Sequence, residues 1–323
     1  MRATGPAVFV SVVLCVPSGA EPAQADPRKA DPLAAEIDRW SPAPALAGAL
    51  EALGQGRRLL ALHRFARAHE DLAATRYVAS QSASDRQSLA AFEAEWQRRQ
   101  AAMTAPAIGN DVGPALLRAE AEAAAAQAPV YARASLDYAR STTAEAGYYY
   151  LGAADAAHGF AGIARRLSWD APGSAPLLRD LQPDIDALRG RLLAAYRPPT
   201  SLERHPEFIA ASAMLKEAAE LNAAGRRHGA LLRYLEAARR TGPLAPAPAP
   251  LAFSHWEARL ADPSADHSIG RLFLEMAQAA PEADRAALAA HVLPLYFAAL
   301  APAAASPARS PAVTVTLVRW PYT

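Results

Sequence analysis

The densest gathering of side chains able to do chemistry runs from His255, Trp256 and Glu257 to Asp266 and His267. Two imidazoles and two carboxylates meeting across a turn would hold a metal ion or relay a proton. The same residues serve equally as caps and loop hydrogen-bond partners around Asp262-Pro263, and that plainer role is the one adopted. His63 and His69 flank Phe65 on one predicted helix, at a separation that puts them on different faces. His69 is expected to be partly buried and bonded to a neighbouring helix. The 8 histidines include no HExxH pair or similar ligand set, and there is no phosphate-binding glycine loop, no GxSxG elbow and no CxxCH. Acidic residues such as Glu36 and Asp38 fall at helix starts, where the macrodipole favours them. None is expected to stand in the apolar setting that raises the pKa of a general acid. No catalytic residue, metal site or cofactor is therefore predicted.

The remaining polar and aromatic signals belong to recognition. Tyr148, Tyr149 and Tyr150 follow one another on a predicted helix, where successive residues fan out by about 100° and cannot share one buried face. Arg165 and Arg166 are placed on the next predicted helix, near enough to join them, and tyrosine with arginine is a common composition for protein-binding surfaces. Near the C-terminus Val313, Val315 and Leu317 alternate with Thr314 and Thr316 ahead of Trp320. This segment reads as a half-buried strand that either lies on the protein's own helices or adds to a sheet edge, in a partner or in a second copy.

Helices must position all of these. Alanine dominates and β-branched residues are scarce before the C-terminus. Asp31-Pro32 and Ser41-Pro42 look like caps followed by proline at the first helical position. Leu62, Phe65, His69 and Leu72 stripe a long helix over 57–78, and Leu89, Phe92 and Trp96 stripe another. Ser84 with Gln87 and Thr142 with Glu145 read as capping boxes. Gly113-Pro114 opens an alanine-rich helix that Pro129 interrupts or kinks. Ile185, Leu188, Leu192 and Tyr196 mark a helix ended by Pro198-Pro199, and Ile269, Leu272, Phe273 and Met276 mark a later one. The alternation of alanine and proline over 242–251 is an extended spacer. The expected organisation is a leader over 1–25, helix hairpins over 26–241, that spacer, a C-terminal helical subdomain over 252–300 and an extended tail over 301–323.

Two stretches share a more specific spacing. Tyr148, Leu151, Gly152, Gly159 and Ala164 stand in one, and Ala218, Gly225, Ala230, Tyr234 and Ala237 in the other. Both resemble pieces of the tetratricopeptide repeat, a helix-turn-helix unit. The resemblance implies that Gly152 and Ala218 let two helices approach, that Gly159 and Gly225 turn the chain, and that Ala164 and Ala230 lie on the second helix. The predicted fold is all-α, an array of antiparallel helix hairpins, tetratricopeptide-like or a more irregular solenoid, with a short terminal strand.

Arg2, the apolar run Ala7 to Val16 and the small residues ending at Ala20 and Ala25 have the layout of a cleavable export signal. That run is about 10 residues, too short to span a bilayer. The single cysteine, Cys15, lies inside it. Leu14 stands where lipoprotein signals resemble one another in having a small residue, so ordinary cleavage near Ala20 or Ala25 is expected. The product would be periplasmic or secreted, with no disulfide and no transmembrane segment. A formal net charge of +1, with arginines spread among acids, gives nothing to attract nucleic acid. The expected function is non-enzymatic: binding of a protein or peptide partner in the cell envelope. The alternatives are a helical envelope enzyme or ligand-binding protein acting on cell-wall material, and self-association through the terminal strand.

Overall fold

The computed structural model describes residues 31–100, 103–109, 111–170, 173–199, 202–242, 253–280 and 291–300. The expected leader, most of the spacer and the predicted strand with Val315, Leu317 and Trp320 lie outside them. Thirteen α-helices are present among the described residues, with no strand and two isolated bridges, Ser174 to Ala265 and Leu178 to Leu300. They are α1 Pro32–Trp40, α2 Ala47–Gly54, α3 Arg58–Ser80, α4 Ala83–Gln87, α5 Leu89–Arg99, α6 Ala115–Ser141 and α7 Ala144–Leu167. There follow α8 Gln182–Ala195, α9 His205–Ala223, α10 Arg227–Thr241, α11 Phe253–Leu260, α12 Ser268–Ala279 and α13 Leu293–Ala299. None of the described helices is long and apolar enough to cross a membrane.

The longest pair, α6 and α7, is built from small residues so that its backbones approach closely. A Cβ added at Gly147 would lie 2.5 Å from the Ala139 Cβ, and one at Gly152 would lie 2.6 Å from the Tyr77 Cβ of α3. Helix α3 therefore packs on α7, while α10 packs on α6 through Gly229, whose added Cβ would meet Glu122 at 3.0 Å. One large apolar cluster joins Ile37, Phe65, Leu116, Phe160, Leu231 and Leu235 to Trp256, Phe273 and Tyr296. A smaller one gathers Phe92, Tyr148 and Leu151.

Two hairpins turn alike. In α2–α3 the turn glycine, Gly56, has φ 74°, and in α9–α10 Gly225 has φ 74°, a conformation natural to glycine. Each hairpin closes with the paired bonds of a Schellman motif: Arg57 N to Ala52 O and Gly56 N to Leu53 O in one, Arg226 N to Leu221 O and Gly225 N to Asn222 O in the other.

Several local expectations need correction. Gly159 does not turn the chain, because α7 runs through it from Ala144 to Leu167. Thr143, not Thr142, caps α7 by accepting the Ala146 N–H, since Thr142 closes the preceding helix. Ser82, not Ser84, caps α4. Ser41 ends α1, and the next turn starts at Pro44. Asp31 does cap α1, accepting from Leu33 N. Helix α6 continues through Pro129.

Candidate functional site

The three consecutive tyrosines fan out as helical geometry demands. Tyr148 is buried edge-on against Phe92 at 5.2 Å, Tyr149 donates its hydroxyl to Asp71, and Tyr150 stacks on Tyr138 at 4.5 Å. Arg165 and Arg166 do not join them. They sit on the same continuous helix, and at 1.5 Å per residue roughly 22 Å of α7 separates them from Tyr150. Arg165 bonds Asp111 at 2.7 Å, and Arg166 reaches Glu36 on α1 at 3.4 Å.

The side chains around Asp262-Pro263 are occupied with caps and loop bonds. Asp262 accepts Ser264 N at 2.9 Å, Asp266 accepts Ser268 N at 2.9 Å and also Ala115 N, and His267 Nδ1 lies 2.9 Å from the Tyr296 hydroxyl. Glu257 accepts from Gln278 Nε2 at 2.9 Å, and the His255 ring rests on Trp256.

A second polar constellation lies between α3, α6, α9 and α10, and the sequence expectation missed it. His63 Nδ1 is 2.7 Å from Glu120 and its Nε2 is 3.3 Å from Glu236. Arg67 donates to both oxygens of Glu236, at 2.8 and 2.6 Å. Arg233 bonds Glu236 at 2.9 Å, and its Nε stands 2.9 Å from Glu217 as an ion pair without hydrogen-bond alignment. Tyr131 donates to Glu70 at 3.0 Å. Burial pushes the Glu217 carboxyl up to about 7, with Arg67 opposing and Glu236 and Glu70 adding to it. Burial also raises Glu70. The expectation that no carboxylate stands in an apolar setting is thereby overturned, because four helices enclose these acids. The recess beside them holds about 300 Å³, its open mouth included. Among the described residues no group of His, Cys, Asp and Glu has the geometry to hold a metal ion.

A larger groove, about 850 Å³ with its open mouth, runs between α3 and α7 and is walled at one side by the end of α1. Its α3 side presents His69, Ala73, Arg76 and Tyr77, and its α7 side Gly152, Asp155, Ala156, Gly159, Ile163 and Arg166. Trp40 stands over it from α1, edge-on to His69 at 4.7 Å. Instead of bonding a neighbouring helix, His69 is 3% exposed, packed among Trp40, Phe65 and Phe160, with its Nδ1 enclosed and unpartnered. Burial lowers its pKa to about 4, with Glu36 opposing and Arg166 and Arg76 assisting, so the ring is neutral at ordinary pH.

The groove joins residues from three separated stretches of sequence. Only Arg166 among its cations was singled out beforehand. Comparisons with protein-family models, with curated proteins and with solved structures find no match to this chain.

Proposed function

We propose that this chain is an exported helical-repeat protein that binds a peptide or protein partner in the cell envelope without catalysing a reaction, and that the groove between α3 and α7 is the surface it uses. The observation that carries this reading is the groove's composition: aromatic walls at Trp40 and Tyr77, a floor of small residues and arginine at its margins. The like turns at Gly56 and Gly225 support a hairpin-repeat origin of the tetratricopeptide kind, and the burial of Ala218, Ala230, Tyr234 and Ala237 is compatible with it.

The test substitutes the groove floor. A Cβ at Gly159 would meet nothing within 4 Å, so Gly159→Ala is accommodated in place and Gly159→Leu sends a larger side chain into the groove. Crosslinked pull-down from envelope extract should recover the same partner with wild type and Gly159→Ala and lose it with Gly159→Leu. Equal recovery with Gly159→Leu overturns the assignment. N-terminal sequencing should find the exported product starting near Glu21 or Asp26, and an intact leader on cytosolic protein overturns export.

The enzymatic alternative has the converging acids Glu70, Glu120, Glu217 and Glu236 in its favour. Their pairing argues against it: Tyr131, His63, Arg67 and Arg233 already occupy them, and the recess beside them is much smaller than the groove.

A further inference from the structure

Resting on the groove reading above, we infer that its occupant is an extended acidic peptide, with a side-chain carboxylate received by Arg76 and Arg166 and a neighbouring apolar side chain seated on Ala156 and Gly159.

Charge is the first argument. The Arg76 guanidinium lies 4.2 Å above the Trp40 ring and donates to the Arg39 carbonyl at 3.2 Å, while among the described residues no carboxylate pairs with it. It is thus held in place with its charge unspent. Arg166 reaches Glu36 only at 3.4 Å, and Glu36 is bound more closely by Arg39 at 2.8 Å. Glu36 and Trp40 are one turn apart on α1, so Arg76 from the α3 side and Arg166 from the α7 side both reach the end of the groove that α1 closes. Three turns back along α7 from Arg166, Asp155 is paired with Arg99 at 3.1 Å. The surplus is positive, which suits a carboxylate.

Gly159 supplies the second argument. Glycine inside a helix is destabilising, and here packing does not require it, since an added Cβ would touch nothing. The position leaves open space on the floor in which a side chain of another peptide can lie. Length decides between a peptide and a small anion. The lining from Gly152 to Arg166 extends roughly 21 Å along α7, which takes about six residues of extended chain.

The experiment measures fluorescence anisotropy with the full chain and four fluorescein-labelled probes. These are a short peptide alternating Glu and Leu, its Gln counterpart, a peptide of this chain's residues 313–323, which has no acidic side chain, and a single-stranded oligonucleotide of similar charge. The Glu peptide should bind at least about tenfold more tightly than the Gln peptide. Arg76→Gln and Arg166→Gln should each weaken the Glu peptide by roughly tenfold and leave the Gln peptide unmoved. Gly159→Leu should abolish binding while the helical circular dichroism is retained. Equal affinity for the Glu and Gln peptides overturns the proposal. So does equal affinity for residues 313–323, which would make the groove a dock for the chain's own end, or for the oligonucleotide. If the Glu peptide fails but Gly159→Leu still loses its envelope partner, the acidic class falls and the groove stands. If Gly159→Leu loses neither, both fall.

Discussion

His69 and Glu217 titrate in overlapping windows with opposite consequences for stability. Burial lowers His69 from 6.5 to about 4. As pH falls through that interval the unfolded chain takes up a proton that the folded chain refuses, so acid favours unfolding, and the full loss is reached near pH 4. The difference corresponds to about 3 kcal/mol. Burial raises Glu217 from 4.5 to about 7. The folded chain keeps a proton there that the unfolded chain has released, so this contribution is complete below pH 4.5 and is lost as pH rises to 7, again by roughly 3 kcal/mol. The two slopes oppose each other in the wild type.

Single substitutions should separate them. His69→Phe keeps an aromatic ring among Trp40, Phe65 and Phe160 and removes the proton site. Relative to wild type it should gain about 3 kcal/mol as pH is lowered from 6.5 to 4. Glu217→Gln should lose a similar amount, about 3 kcal/mol, between pH 7 and 4.5. Urea unfolding followed by circular dichroism at constant ionic strength measures both, and the other titrating groups cancel in the difference. Difference curves that are flat with pH, or that tilt the same way for both variants, would refute the reasoning about burial.

Gly159→Ala should stabilise the protein by about 0.5–1 kcal/mol in the same assay, because it adds helix propensity in open space. Gly152→Ala should do the reverse, costing about 1–3 kcal/mol, since its Cβ would lie 2.6 Å from the Tyr77 Cβ and 3.0 Å from the Ala74 Cα. Glu236→Ala removes the shared partner of His63, Arg67 and Arg233, and thermal melts should show a loss of about 3–5 kcal/mol. A change below about 1 kcal/mol would mean that the pair is solvated in solution.

The helices were legible because their signals are local. Alanine content, leucine stripes and proline positions placed α3 and α12, the start of α6 and the end of α8 within a few residues. Cap identity slipped by one or two residues where hydroxyls crowd together, as at Thr142-Thr143. Which of them caps depends on where the preceding helix stops, and the spacing rule contains no information about that. The ionic cluster was not read, because its members come from four helices and each looks like a solvated charge. One clue was available. Even that was ambiguous: at 100° per residue Ala230, Leu231, Leu232, Tyr234, Leu235, Ala237 and Ala238 leave an arc of roughly 140° in which Arg233 and Glu236 fall, so the pattern reads as a solvated face although both side chains are buried. The groove was not read either, since nothing local says that Trp40 of α1 reaches His69 of α3.

The helix starts show how far local reasoning can go in this chain. Exposed starts use their own sequence: Asp31 for α1, Ser82 for α4, Ser88 for α5 and Thr143 for α7. Helices α3, α6 and α10 begin after Arg57, Pro114 and Arg226, none of which makes a side-chain cap. Buried N–H groups cannot go unmet, and in each case a carboxylate distant in sequence meets one: Glu275 at Leu60, Asp266 at Ala115 and Glu122 at Gly229. These acids are drawn into the core by the donors they satisfy; for Glu275, burial raises the carboxyl even though the Leu60 and Leu59 N–H groups pull the other way. At these three starts, tertiary structure supplies the anion that the local sequence lacks. For Asp266, Glu122 and Glu275, the acid and the uncapped start it meets are two halves of one requirement.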